Sequence, residues 1–213
     1  MKHITFYLDF ISPYAYLAFE QLPGALEGLS YEVEYRPVLF AGMLKHHGQL
    51  GPAEIPAKRD WTYRQVSWLG HRLGVPLRMP SVHPFNPLAL LRLALACGSD
   101  GKSNRHACES IFRHVWQGGG DPNDPARLEA LQAQVNPQRG IADDAVKAEL
   151  RSNTEQAIAH GAFGVPALLA GDRLFWGLDA LPMLRAWLEG DAWFTSGVWE
   201  SATQPVAGAD RRV

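Results

Sequence analysis

The chain has 213 residues, 46% of them hydrophobic and 20% charged, which is the composition of a globular protein that can bury a core. Its formal net charge of -2 and its isoelectric point near 6.4 give no reason to expect nucleic acid or an anionic membrane surface as a partner. The longest apolar-rich stretch, Leu88 to Cys97, contains Arg92 and is about half as long as a membrane-spanning helix, so it predicts a core helix.

The first predicted element is a strand that runs from Ile4 to Leu8. Its apolar and polar side chains alternate, and the alternation stops at Asp9. Ser12-Pro13 then predicts a helix start, because a Ser hydroxyl accepts from first-turn N–H groups and Pro loses no hydrogen bond at the first helical position. The hydroxyl is therefore expected at the positive end of a helix dipole, a place that favours an anion. Ser12 could be only a helix cap or also a functional residue.

A helix and a second strand follow. Helical spacing extends from Pro13 to Leu26, and alternation from Tyr31 to Leu39 predicts the strand. A strand, a helix and a strand in so short a span make a βαβ unit, whose right-handed crossover sets the two strands parallel in one sheet.

The middle of the chain is predicted to be helical from about residue 42 to residue 140. The segment from Gly42 to Pro56 is rich in Gly, Pro and His and predicts a long ordered loop, which is more often functional than idle. The helices that follow are predicted over 57–73, after Asn86-Pro87, from Ser103, after the cap cluster 121–125, and from Asp143 to His160. A possible capping box at Ser152 and Glu155 leaves open whether the last of these is one helix or two.

Strand signals return after Val165-Pro166. Two short apolar runs flank Gly171-Asp172, a type II′ hairpin signal, and a last helix follows Asp179. Beyond Gly190, three aromatic residues could dock on the body of the protein or on a partner, and 202–213 is expected to be a loose tail.

This order of elements predicts an α/β, thioredoxin-like fold with a large helical insertion. Pro166 stands where that fold carries a cis proline; a proline before a strand is also ordinary loop chemistry, since only about 5% of X-Pro bonds are cis, but its position after a Gly-x-Gly stretch favours cis. The predicted units are a discontinuous thioredoxin-like domain (1–40 and 155–190), an inserted helical domain (41–154) and a C-terminal tail (191–213).

The two cysteines and the start of the chain bear on the compartment. Cys97 and Cys108 fall in separate predicted helices without C-x-x-C spacing, so they are expected to be small buried residues and not a disulfide. The first strand begins within three residues of Met1 and leaves no room for a signal segment, which favours a cytoplasmic protein.

Motifs along nearly the whole chain up to Gly190 carry a resemblance to a known family. They are Asp9-Phe-x-Ser12-Pro13-Tyr14, Arg36-Pro37, Gly42-Met-Leu-Lys45, Gly48-Gln49, Pro52-Ala-Glu-Ile-Pro56-Ala-Lys58, Phe85-Asn86, Gly164-Val165-Pro166 and Phe175-Trp176-Gly177-x-Asp179. Together they resemble the 2-hydroxychromene-2-carboxylate isomerases, relatives of the kappa-class glutathione transferases within a larger family of periplasmic disulfide oxidoreductases.

The resemblance implies a glutathione site at Ser12. Disulfide oxidoreductases have a C-x-x-C tetrad there, whereas this chain has Ser12 and Ala15, so a dithiol cycle is impossible at this site. Ser12 would instead hydrogen-bond the glutathione sulfur and, with the helix dipole, favour thiolate over thiol. One such charge-assisted bond contributes about 1.5–3 kcal/mol, enough to lower a thiol pKa by about one to two units.

Further roles are implied by the same resemblance. The backbone of Val165 would pair with the cysteinyl part of glutathione, and the Asp179 carboxylate or the following helix N-terminus would take its γ-glutamyl charges. The kappa branch often has Asn where this chain has Gln49, and often a polar residue where it has Leu178, whose side chain contributes less. The glutathione-binding residues are expected to be Ser12, Tyr14, Gln49, Val165, Pro166, Trp176, Gly177, Leu178 and Asp179.

The substrate and metal assignments rest on single residues. By resemblance Lys45 would meet the substrate's carboxylate or phenolate, although a lone loop lysine is equally well a solvated surface charge. Asn86 is a candidate substrate contact, but a helix cap explains it better. The spacing of His46, His47 and His83 fits no standard zinc site, so no metal is predicted.

The leading interpretation is a glutathione-dependent isomerase of a small aromatic pyruvate derivative. The resemblance implies glutathione as cofactor, reversible thiolate addition to the substrate, and a homodimer. Two alternatives stay open: a kappa-like transferase that conjugates electrophiles irreversibly, and a redox-inactive thioredoxin-like binding module.

Overall fold

The computed structural model describes residues 1–204, which contain one four-stranded sheet. Its strands are β1 (Lys2–Leu8), β2 (Tyr31–Pro37), β3 (Ala167–Ala170) and β4 (Arg173–Trp176), in the order β2-β1-β3-β4. β1 pairs parallel with β2, and β3 pairs antiparallel with both β1 and β4. The parallel βαβ unit and the two-residue hairpin at Gly171-Asp172 are as predicted.

The helices lie mostly between β2 and β3. They are α1 (Pro13–Ala25), α2 (Phe40–His46), α3 (Pro56–Leu73), α4 (Leu88–Ala96), α5 (Arg105–Trp116), α6 (Pro125–Val135), α7 (Asp144–Ala159), α8 (Leu181–Glu189) and α9 (Val198–Ser201). Because α7 is continuous, the two-helix alternative is wrong. The predicted start at Ser103 is wrong by one residue, since Asn104 caps α5 by accepting from the Ala107 N–H at 2.8 Å.

The predicted loop over 42–56 is wrong at its start, because α2 extends to His46, and from there to α3 the chain is a loop that contains one short turn, Pro52–Glu54. Two side chains from distant segments fix the entry to α2. The Asp9 carboxylate accepts from the Phe40 N–H at 2.9 Å, and the Thr154 hydroxyl accepts from the Leu39 N–H at 2.9 Å. These tertiary caps satisfy helix-end donors that local sequence leaves without partners, and they outweigh the low helix propensity of the segment.

The main hydrophobic core joins the sheet and α1 to the helices that follow β2. Phe10 and Phe112 pack edge to face with ring centroids 4.8 Å apart, and Phe19 lies 5.2 Å from Phe112. The fully buried indole of Trp116 belongs to the same core. Residues on both sides of position 41 thus share one core, and the proposed division into domains stays a prediction.

The chain after α8 packs on the sheet as far as the structure describes it. A short turn over 192–194 buries Phe194. The ring centroids of Trp199 on α9 and Phe175 of β4 lie 6.0 Å apart. The aromatic residues of this segment therefore dock on the body of the protein. The rest of the predicted tail, 205–213, lies outside the described residues. No helix within 1–204 is long and apolar enough to cross a membrane.

Candidate active site

Ser12 caps α1 and contacts the loop before β3. Its extended backbone (φ -93°, ψ 116°) directs the side chain over the first turn, where Oγ accepts from the Ala15 N–H at 3.2 Å. The same hydroxyl donates to the Val165 carbonyl at 3.4 Å and is 7% exposed. Capping thus occupies only a lone pair of the oxygen, and the proton points towards β3.

The Val165-Pro166 peptide bond is cis, which confirms that prediction. Among residues 1–204 no acceptor bonds the Val165 N–H. The Pro166 carbonyl accepts from the Gly177 N–H at 3.0 Å, which ties this loop to the end of β4. The loops that carry Ser12, Val165 and Gly177 are therefore linked in series, and the structure brings these predicted residues together.

The end of β4 forms one side of this cluster. Gly177 has a φ of +100°, and a Cβ placed on it would lie 2.5 Å from Asp179 Oδ1. Asp179 is exposed in the short turn before α8. Burial raises the pKa of Tyr14, the Thr62 side chain acts to lower it, and the Asp179 carboxylate acts to raise it. Trp176 is 51% exposed and its ring lies 4.7 Å from that of Phe163.

Two further predicted glutathione residues are engaged within the protein. The Tyr14 hydroxyl donates to Gln65 Oε1 at 2.7 Å, so it is turned towards α3. Leu178 is partly buried and packs against the main core. Their backbones remain at the edge of the cluster, next to Ser12 and Gly177.

Lys45, Gln49 and Asn86 are all exposed. Lys45 lies in the last turn of α2, where a cation suits the helix dipole, and Gln49 follows that helix. The Asn86 side chain accepts from the Leu88 N–H at 3.1 Å, but Pro87 holds the N-cap position of α4, so the expectation that Asn86 is the helix cap is wrong by one residue. Within the described residues no side-chain hydrogen bond joins any of the three to Ser12 or Val165.

Asp9 is a buried acid that the sequence analysis gave no role of its own. It is fully buried at the end of β1, where it accepts from the Ile11 N–H at 3.1 Å and from the Phe40 N–H at 2.9 Å. Burial raises its pKa to about 7, although the N–H groups of Phe40, Ile11 and Phe10 act to lower it. Asp9 therefore joins the Ser12 loop to α2, which carries Lys45. An acid directly after a buried strand is the sequence signal that could have found it.

Two other contacts to the Ser12 loop were not predicted. The Trp116 indole N–H donates to the Phe10 carbonyl at 2.9 Å, and His83 Nε2 lies 2.9 Å from the Ile11 carbonyl oxygen. In the sequence, His83 drew attention only as one of three histidines tested as metal ligands, and their spacing fitted no standard zinc site. Residues 1–204 contain no group of three or more His, Cys, Asp and Glu side chains that could hold a metal ion.

The protein's own thiols are poorly suited to nucleophilic chemistry. Both cysteines are free and lie outside the Ser12 tetrad. Burial raises the pKa of Cys108 to about 12 and also raises that of Cys97. Neither thiol is poised to ionise near neutral pH, so a thiolate that acts at Ser12 must come from a bound molecule.

Comparisons with known proteins agree with this geometry. A 2-hydroxychromene-2-carboxylate isomerase of Sphingobium xenophagum is 29% identical over 202 residues, 88% of this chain and 98% of that protein. Glutathione S-transferase kappa 1 of Homo sapiens is 27% identical over 211 residues, 90% of this chain and 92% of that protein. A solved 2-hydroxychromene-2-carboxylate isomerase superposes with a TM-score of 0.78 at 22% identity, covering 92% of this chain and 98% of its own.

These findings confirm the resemblance inferred from the motifs, and they confirm the thioredoxin-like fold with helices inserted between β2 and β3. The model of the DSBA-like thioredoxin domain matches residues 3–189, nearly all of the part with regular structure. The chain therefore belongs to the family of DSBA-like thioredoxin domains.

Proposed function

We propose that this protein is a glutathione-dependent isomerase that acts on 2-hydroxychromene-2-carboxylate or a similar aromatic unsaturated keto acid. The observation that carries the proposal is the meeting of the Ser12 hydroxyl, the N-terminus of α1 and the Val165 backbone at one point. Two relatives named 2-hydroxychromene-2-carboxylate isomerase, at 29% and 27% identity over most of the chain, support the same assignment.

The residues at this point fit glutathione. The Val165 N–H has no acceptor among residues 1–204, so it is available to the backbone of a peptide-like ligand. The N-terminal turn of α1 and the Ser12 hydroxyl favour a negative charge. Asp179, exposed across the cluster, offers a carboxylate to the γ-glutamyl ammonium group. The alternative anchor for the γ-glutamyl charges, the α8 N-terminus, suits its carboxylate.

Ser12 and Val165 would hold glutathione, which would supply a thiolate able to add reversibly to the activated double bond of the ring-opened substrate. Rotation about the resulting single bond and loss of the thiolate would give trans-o-hydroxybenzylidenepyruvate and return glutathione unchanged. Ser12 provides the hydrogen bond that favours the thiolate. Its present bond to the Val165 carbonyl is long, at 3.4 Å, so exchange for a bond to sulfur costs little. Lys45, exposed on α2, is the cation proposed to attract the substrate carboxylate.

A conjugating transferase is the second candidate, because a protein named glutathione S-transferase kappa 1 matches nearly as well as the isomerase does. Conjugation needs the same thiolate but an electrophile with a leaving group. A redox-inactive binding module would instead show no measurable affinity for glutathione by calorimetry.

Turnover of two substrates tests the proposal. We expect the protein with glutathione to convert the chromene carboxylate without consuming glutathione, and to react slowly with an aryl halide. Ser12→Ala should lower kcat/KM by about tenfold or more, since it removes a charge-assisted hydrogen bond. The control for the effect of lost stability is Asn104→Ala, which deletes the equivalent helix cap of α5, away from the site.

Faster turnover of the aryl halide would favour the transferase. A Ser12→Ala variant with wild-type isomerase activity would contradict the proposal that Ser12 stabilises the thiolate. The homodimer and the cytoplasmic location expected from the sequence stay predictions.

A further inference from the structure

The turn between β1 and α1 is held by side chains that come from helices far along the chain. Phe10 and Ile11 have left the sheet, so their carbonyls need other partners. The Trp116 indole N–H donates to the Phe10 carbonyl at 2.9 Å, and His83 Nε2 lies 2.9 Å from the Ile11 carbonyl oxygen. The carbonyl of Ile11 belongs to the same peptide unit as the Ser12 nitrogen, so this contact bears directly on Ser12.

The partners of the His83 ring fix its tautomer. A carbonyl oxygen only accepts, so Nε2 carries the proton that bonds Ile11. In a neutral ring Nδ1 is then an acceptor, and the Tyr63 hydroxyl lies 2.8 Å from it. Burial lowers the pKa of His83, which favours this neutral form, although the bond to Ile11 acts in the opposite direction.

The Ile11-Ser12 peptide is held from both ends. On one end His83 binds the Ile11 carbonyl, and on the other the Ser12 N–H donates to the Asp9 carbonyl at 3.1 Å. The ring of His83 is itself packed against Trp116 and Tyr63, with centroids 5.6 and 5.4 Å away. A peptide plane fixed in this way sets the position of the Ser12 side chain.

We propose that His83 is a positioning residue that acts through the Ile11 carbonyl to hold the Ser12 hydroxyl against the glutathione sulfur. This inference rests on the proposed function, because it assigns His83 a part in stabilising the bound thiolate. His83 does not touch the reacting atoms. Its loss leaves the Ile11 carbonyl without a donor and lets the Ser12 turn shift.

The test measures the pKa of glutathione bound to the protein, from the ultraviolet absorbance of the thiolate against pH. We expect His83→Met to raise this pKa by about half a unit to one unit, the effect of one weakened hydrogen bond. Turnover kcat should fall by about three- to tenfold, with KM for glutathione within about twofold. His83→Gln places an amide donor near the Nε2 position and should restore the wild-type pKa.

His114→Met is the matched control. His114 is also a partly buried histidine whose Nε2 lies 2.9 Å from a carbonyl, that of Pro122, and burial lowers its pKa too. Its replacement should cost similar stability but leave the thiol pKa unchanged. Tyr63→Phe keeps the test decisive if His83→Met does not fold, since it removes the hydroxyl beside Nδ1 and its hydrogen bond to the His83 carbonyl at 3.0 Å, and should raise the thiol pKa by a smaller amount.

The outcomes separate the two claims. An ordinary thiol pKa on the wild-type protein overturns the proposed function. A lowered pKa in the wild type that neither His83→Met nor Tyr63→Phe raises overturns the positioning role alone. The same result follows if His114→Met raises the pKa as much as His83→Met does.

Discussion

At the scale of single residues, Ser12 combines a structural role with the chemical role proposed for it. Its oxygen accepts from the Ala15 N–H as a helix cap, and its proton, which donates to the Val165 carbonyl at 3.4 Å, can turn to a ligand instead. The two roles do not compete, because a hydroxyl is both donor and acceptor. Helix capping and the proposed thiolate stabilisation would also use the same positive end of α1.

Asp9 gives the folded protein a predictable pH dependence. Burial raises its pKa from 3.8 to about 7, so between these values the folded state binds a proton that the unfolded chain has released. The free energy of unfolding should therefore fall as pH rises from about 4 to about 7 and lose nothing more from this group above that range. Urea unfolding of the wild type and Asp9→Asn at several pH values checks this.

The Asp9→Asn variant should show a flatter dependence of stability on pH, because it has no proton to release at this position. Its amide also meets one of the two N–H donors of Ile11 and Phe40 with its own N–H group, so some stability is lost at every pH. Equal pH slopes for the two proteins would contradict the account of Asp9.

At the scale of elements, the end of β4 shapes the site through Gly177. The Gly177→Ala substitution introduces a Cβ 2.5 Å from Asp179 Oδ1 and a strained φ of +100°. We expect a loss of about 1 kcal/mol in the free energy of unfolding and a glutathione Kd about tenfold higher, as the displaced carboxylate loses its contact. Calorimetric titration and thermal unfolding measure the two effects.

Gly190→Ala is the control for backbone strain. Gly190 also has a positive φ, of +84°, but a Cβ there would have no neighbour within 4 Å. It should lose similar stability and bind glutathione normally. Equal affinities for both variants would place the ligand away from the Gly177 turn.

The elements show which features local sequence can predict. Alternation in β1, the hairpin glycine and the caps of α1 and α6 are local signals, and each of those elements lies where it was expected. The prediction failed at α2, whose N-terminus depends on Asp9 and Thr154. The residues that provide such tertiary caps lie elsewhere in the chain, so the sequence of the helix itself does not predict where it begins.

The same reasoning explains what could be predicted of the site. Ser12 and Val165 stand beside Pro residues that punctuate the sequence, and the resemblance gave both a role before the fold was known. Trp116 and His83 reach the Ser12 loop across 106 and 72 positions of sequence. Only the packed core brings them there, so no spacing rule could have found them.

At the scale of the whole molecule, the C-terminal segment closes over the sheet through Arg173. Its guanidinium lies 4.7 Å from the Trp187 ring and 5.0 Å from that of Trp199. It also donates to the Phe194 carbonyl at 3.0 Å and pairs with Glu200 at 3.1 Å. One cation on β4 thus joins α8, the turn that follows it and α9.

Arg173→Gln should therefore destabilise the fold without affecting the site. We expect the free energy of unfolding to fall by about 2 kcal/mol, from lost cation–π contacts and hydrogen bonds. Arg173→Lys, which keeps the charge but not the planar fork, should lose less. Denaturant titration checks both, and a wild-type glutathione Kd is expected throughout. Unchanged stability, or a loss of affinity, would contradict this account.

The central claim is that the Ser12 hydroxyl holds a glutathione thiolate at the N-terminus of α1. A crystal structure of the wild-type protein soaked with glutathione tests it most directly. The account predicts the sulfur within hydrogen-bond distance of Ser12 Oγ and the cysteinyl backbone bonded to the Val165 N–H. Glutathione bound elsewhere, or with its sulfur turned away from Ser12, would contradict it.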